Sequence, residues 1–228
     1  MRRPDLHLPP PALMNVGRFE TFSDSVFAIA STLLVVNLRL PDLAGMTAIQ
    51  STERLAWLWP QLLGYSTSFA IIGVLWVNHH ALFHFLKKVD RVSLIINLGL
   101  LMCVAFIPYP TALMAQYGRN RAVVILFGST MAAAGFIFSA LWFYAIRQYF
   151  RTEPRIDRRF IRDASLWTLG YPMSYVFATA LVLVDPLLSI VTYAIIPIVY
   201  LLPGVIDRQL HLEMTRLPYG REAEPAQP

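Results

Sequence analysis

The chain has 228 residues, of which 56% are hydrophobic and 14% charged, with a formal net charge of +5. Ordinary soluble domains carry about a quarter charged residues, so this composition excludes a soluble globular fold and reads as an integral membrane protein. A single cysteine, Cys103, excludes an intrachain disulfide and a thiolate-built metal site within one chain.

Residues 1–17 are polar and Pro-rich and read as a tail. They do not resemble a cleaved signal peptide, because the first apolar run that follows contains Asp24. At about 20 apolar residues per spanning helix, six segments follow in a membrane domain over 18–206: 20–40, 55–86, 92–116, 121–149, 162–184 and 186–206. The fold class is an all-α membrane protein with six transmembrane helices per chain. The first segment is the least hydrophobic and ends at Pro41, whose preceding residue is biased away from helix. The second is too long for one perpendicular span, so it tilts or projects. Trp57 and Trp59 fit an outer interfacial belt, and Trp142 and Trp167 an inner one. Pro108 and Pro110 mark the far end of the third segment, and Asp185-Pro186 leaves only a tight turn between the fifth and sixth. Residues 207–228 form a second polar tail.

Charge placement sets the orientation. With the N-terminus cytoplasmic, fifteen of the nineteen Lys and Arg residues fall on the cytoplasmic side, and only Arg39, Arg54, Arg119 and Arg121 lie outside. Both termini are then cytoplasmic, in a plasma (inner) membrane. The positive balance reflects topology and attraction to anionic lipid. It does not indicate nucleic-acid binding, since acids interrupt the densest basic run, RTEPRIDRRF, and no recognition motif accompanies it.

Polar groups of three segments converge on one shallow layer at the inner end. Asp24 lies about 7 Å inside the first helix, His80 and His79 a comparable depth back from Lys87, and Asn97 about 9 Å from Arg91, at 1.5 Å per residue. Ionisable groups inside a membrane helix face protein or water and mark a path or a bracing network. A carboxylate accepts from imidazole, amide, hydroxyl or the Arg18 guanidinium, so Asp24 with His79 or His80 reads as a brace. The alternative is that Asp24 caps its helix and the histidines sit at headgroup level. His80 and His84 share a face at i, i+4, but no Glu follows the first His and no third ligand is evident, so no metal is expected.

On the first helix Ile29, Leu33 and Val36 recur on one face, with Thr32 beside them. Any membrane helix is apolar all round, so this stripe alone does not establish a pore.

R-x-x-x-F-S-D-x-V-F-A-I-A-x-T-L-L-V, read from Arg18 to Val35, closely resembles the first helix of the transmembrane protein 175 family of potassium channels. WVNHHALF (76–83) and VDRVSLIINLGLLMCVAFIPYPTAL (89–113) resemble that family's second and third helices. The resemblance implies a homotetramer in which four copies of helix one line a central pore. Ile29 would form the hydrophobic constriction, Leu33 and Val36 its continuation, and Thr32 the hydroxyl layer tied to potassium preference. Arg18, Phe22, Ser23 and Asp24, with His79, His80 and Asn97, would form the structural brace. Potassium is the expected permeant ion, with no cofactor and no enzymatic activity. No TVGYG-type filter is present, so selectivity from stacked carbonyl rings is not expected. The competing readings are a proton-coupled secondary transporter or proton-leak protein using Asp24 and the helix-two histidines, and a membrane metalloenzyme using His80 and His84.

Overall fold

Asn15 opens the first helix: its side-chain oxygen accepts from the Gly17 amide at 3.1 Å, satisfying one of the donors a helix start leaves unpaired. The computed structural model describes residues 15–38, 41–42, 44–56, 58–83, 86, 89–152 and 158–201, and every element among them is helical. Helix α1 spans Val16–Val36, about one turn earlier than the apolar pattern indicated. It stops at Asn37, whose side-chain NH2 donates back to the Leu33 carbonyl at 3.2 Å and across to the Pro108 carbonyl at 3.4 Å.

The second segment is α3 (Trp59–Phe83), preceded by a short helix, α2 (Ala48–Ala56), which begins before the expected segment. Pro60 sits in the first turn of α3, where a missing N–H costs nothing. None of the α2 side chains is buried. The third segment divides into α4 (Arg91–Phe106) and α5 (Pro108–Tyr117). Pro108 and Pro110 have no N–H to offer the preceding turn, so the ladder breaks at Ile107. Thr111 then ties α5 down: its hydroxyl bonds the Ile107 carbonyl at 2.8 Å and meets Ser68 of α3 at 2.9 Å.

Asp90 begins α4 with a reciprocal cap. Its carboxylate accepts from the Ser93 amide at 2.9 Å while the Ser93 hydroxyl receives the Asp90 amide at 3.1 Å. The other carboxylate oxygen accepts from the Tyr144 hydroxyl and, at 3.0 Å, from Gln148 of α6 (Arg121–Thr152). Burial pushes the Asp90 carboxyl up, yet the donors from Ser93, Tyr144 and the Val92 amide win and hold it below its ordinary value.

α6 lies along α7 (Arg158–Ala180), and two glycines set their approach. A Cβ on Gly128 would stand 2.0 Å from the Thr179 hydroxyl, and one on Gly135 2.8 Å from the Tyr171 ring. Pro172 inside α7 frees the Thr168 carbonyl one turn back, and Ser139 of α6 donates to it at 3.2 Å. After a 3-10 turn at Leu181–Leu183, Asp185 caps α8 (Pro186–Leu201) by accepting the Leu187 amide at 2.7 Å. One sequence expectation is corrected here. Trp142 is fully buried, with its indole donating to Ser165 at 3.1 Å, so it belongs to the α6–α7 interface and not to an aromatic belt. Trp59 is exposed and available to a belt, while Trp57 and His84 lie outside the described residues.

The core runs between α3, α4, α6 and α7 through side chains such as Ile71, Leu82, Leu100, Phe127 and Met131. Among the described residues, five helical stretches are long and apolar enough to cross a membrane: Val16–Val36, Ala48–Phe83, Arg91–Tyr117, Arg121–Tyr149 and Ile161–Leu183. α8 is apolar but shorter. The protein is therefore a multi-pass membrane protein, with helices that satisfy their own backbone groups where no water can.

Candidate functional site

At the end of the bundle where α1 begins, α3 finishes and α4 starts, so three helices meet side by side. Consecutive residues of α1 fan out by about 100°, and this separates Phe22, Ser23 and Asp24 into three environments. Ser23 points inward and is fully buried. Its hydroxyl donates to the Phe19 carbonyl at 3.0 Å and accepts from the Asn97 side-chain amide at 2.9 Å. Because the serine proton is already committed, Asn97 must turn its NH2 to Ser23 and its oxygen to His79, which lies at 2.8 Å. His79 therefore carries a proton on Nε2 and donates, the tautomer being assigned from the network. All three residues are buried, and the imidazole is wedged between Phe27 and Phe83 at ring-centroid distances of 5.2 Å and 4.8 Å.

Asp24 and His80 occupy a separate, outer cluster. The Asp24 carboxylate accepts from the Trp76 indole at 2.9 Å, and His80 Nδ1 lies 2.9 Å from Glu20. Trp76 and His80 stack with centroids 6.0 Å apart, so this second cluster also ties α1 to α3. Within the single chain Asp24 thus pairs with an indole, and neither His79 nor His80 reaches it. Arg18 and Phe22 are exposed, and Arg18 forms no ion pair with Asp24. Among the described residues no group of three or more His, Cys, Asp or Glu is placed to hold a metal.

Further along α1, Phe19, Phe27, Ala30 and Leu34 pack into the core. The opposite side stays open: Ile29 is 59% exposed, Leu33 44% and Val36 75%. Thr32 is exposed beside them, and its hydroxyl donates to the Ile29 carbonyl at 2.8 Å. The proton being used there, the oxygen lone pairs remain free to accept or to meet a cation.

Residues 18–108, which carry all of these groups, match the model of a family described as "Endosomal/lysosomal potassium channel TMEM175". A potassium channel of Streptomyces collinus is 37% identical over 166 residues, covering 69% of this chain and 80% of its own. The chain belongs to the TMEM175 family. The crystal structure of a lysosomal potassium-selective channel TMEM175 homolog from Chamaesiphon minutus superposes with a TM-score of 0.72 at 33% identity, covering 81% of this chain and 95% of that one. The human endosomal/lysosomal proton channel TMEM175 is 32% identical over 152 residues, which is 62% of this chain but 29% of the human one.

In this TMEM175 chain three functional-site contacts escaped the sequence reading. Trp76 as partner of Asp24 has no sequence signal beyond its place one helical turn before His80. Glu20, lying between Arg18 and Phe22, was passed over in favour of the motif residues, although a second acid in the first turns of a membrane helix is itself a signal. Asp90 with Ser93 was legible as a helix-start pattern, since a capping acid is followed three residues later by a hydroxyl and then an apolar run.

Proposed function

We propose that this protein is a potassium-permeable channel that assembles as a homotetramer of six-helix subunits in the plasma membrane, with α1 from four copies around a central pore and both termini cytoplasmic. The observation that carries the reading is the open side of α1: Ile29, Leu33 and Val36 remain exposed on it, while Phe19, Ser23, Phe27, Ala30 and Leu34 pack into the bundle. Membership of the TMEM175 family and the potassium channel names of its bacterial relatives supply the ion.

Four Ile29 side chains meeting on an axis form a ring that excludes water, and a dewetted ring blocks ions until α1 turns or dilates. Leu33 and Val36 extend that constriction towards the Asn37 end. Four Thr32 oxygens replace part of a cation's water shell, and because no carbonyl filter contributes, selectivity is modest. The inward-facing Ser23–Asn97–His79 chain and the outer Asp24–Trp76 and Glu20–His80 pairs hold α1 against α3 and α4, so the pore face keeps its orientation. Residues 18–206 form this channel unit, and 1–17 and 207–228 are cytoplasmic tails.

Cation flux into liposomes containing the purified protein tests the reading. Potassium flux exceeding sodium flux, and rising when Ile29→Asn wets the ring, is the expected result. Flux that instead saturates and follows a proton gradient, with no change in the Ile29→Asn variant, would replace the channel with a proton-coupled transporter.

A further inference from the structure

Away from the pore face, a column of aromatic side chains runs through the bundle formed by α3, α6, α7 and α8. Tyr193, Tyr175, Tyr171 and Tyr200 follow one another, with ring centroids 5.8, 5.1 and 5.1 Å apart. Glycines open the space they fill: Gly128 faces the Tyr193 hydroxyl, Gly135 the Tyr171 ring and Gly170 the Tyr200 hydroxyl, where a Cβ would lie 2.9 Å from the oxygen.

Tyr193 is well supplied, bonding Thr179 at 2.9 Å and the Val124 carbonyl at 3.2 Å. Tyr171 is not. Its hydroxyl is buried without a hydrogen bond of good geometry, and the polar group near it on its own helix is the Tyr175 hydroxyl, which is itself unsatisfied. Such a group inside a membrane protein costs several kcal/mol on hydrocarbon scales unless something satisfies it.

A cavity of about 20 Å³ adjoins it, lined by Val74, Leu75, Phe138 and Trp167 and by four polar residues, Asn78, Thr168, Tyr171 and Tyr200. A buried water needs roughly 10–15 Å³ of such volume and two to four polar partners, and this site offers both. Its position is also one where a helix is weakest. Thr168 and Tyr171 flank the turn that Pro172 interrupts, and the freed Thr168 carbonyl already draws Ser139 across from α6. Asn78 uses one amide proton on the Val74 carbonyl at 2.7 Å, which leaves its oxygen and second proton for another partner.

We propose that this cavity is a binding site for one structural water, which bridges the Tyr171 hydroxyl to Asn78, Thr168 and Tyr200 and holds the Pro172 bend of α7 against α3 and α8. Its lining residue Asn78 is next to His79 on α3, so the site braces the same helix.

Melting of the full-length protein in lipid nanodiscs tests it, comparing Tyr171→Phe with Tyr175→Phe. Tyr175 also has a buried hydroxyl without a hydrogen bond of good geometry, but it does not line the cavity. If water bridges the site, Tyr171→Phe lowers the melting temperature by about 2–4 °C, roughly the effect of losing one buried hydrogen bond in a chain of this size. Tyr175→Phe then leaves it unchanged or raises it. A Tyr171→Phe protein that melts no lower than the parent overturns the proposal. An equal fall in both variants overturns it as well, because it assigns the two hydroxyls to each other. Should Tyr171→Phe fail to fold, the near-isosteric Thr168→Val decides by the same criterion.

Discussion

Replacing Asn97 by Leu, which is close to it in shape, removes both arms of the buried chain between α1, α3 and α4. His79 Nε2–H loses its acceptor and the Ser23 oxygen loses a donor, while Ser23 keeps its bond to the Phe19 carbonyl. Hydrogen bonds between membrane helices average about 0.6 kcal/mol and reach about 1.7 kcal/mol. Two such bonds place the loss at about 1–3 kcal/mol, since the residue is fully buried and no water replaces either partner. At about 2–4 °C per kcal/mol, the melting temperature falls by about 2–12 °C. A double-mutant cycle with Ser23→Ala separates the bond from the change in packing: the coupling between the two positions should be close to the energy of one interhelical bond. Thermal melts of parent, both single variants and the double variant supply the four values. Strictly additive effects would refute the argument, because they mean that Ser23 and Asn97 act independently despite their 2.9 Å separation.

Thr32→Val keeps the shape of the side chain and removes the oxygen, so the potassium-to-sodium permeability ratio, read from reversal potentials, should fall towards unity while current persists. Gly128→Ala places a methyl 2.0 Å from the Thr179 hydroxyl and 2.1 Å from that of Tyr193; overpacking of this kind costs about 1–3 kcal/mol or more, and size-exclusion profiles should show loss of the folded species. Asp90 holds a depressed carboxyl value in the folded state, so its contribution is present above the unfolded value of about 3.9 and is lost as pH falls through the lower folded value. Melting temperatures measured from neutral pH down through this window should drop more steeply for the parent than for Asp90→Asn, and parallel curves would contradict the assignment.

Much of the architecture was readable because membrane helices are long and the bilayer fixes their length. The apolar runs locate all of the major helices. The depth argument places Asp24, His79, His80 and Asn97 in one layer; the structure joins His79 to Asn97 and puts Asp24 and His80 in a separate cluster. Facing was less readable. In a lipid-embedded helix both the packed and the exposed sides are apolar, so periodicity does not distinguish Leu34, which is buried, from Val35, which is not. The same ambiguity hid Trp142: an indole suits an interface belt by chemistry, but Ser165 gives it a partner inside the bundle. Asp24 was recognised as a group needing compensation, yet its partner proved to be Trp76, because a neutral donor on a neighbouring turn serves a carboxylate as readily as an imidazole does. The division of the third segment followed from Pro108 and Pro110, whose breaking effect inside apolar runs is weaker as a signal than it is in water, since neighbouring helices re-satisfy the freed groups.

The claim that most needs testing is that the exposed face of α1 lines the pore. In a Cys103→Ala background, Ile29→Cys and Val36→Cys should lose current on treatment with a charged methanethiosulfonate reagent. Met102→Cys, equally exposed but on α4, should not. Block at Met102 with none at Ile29 or Val36 would place the ion path elsewhere and contradict the account.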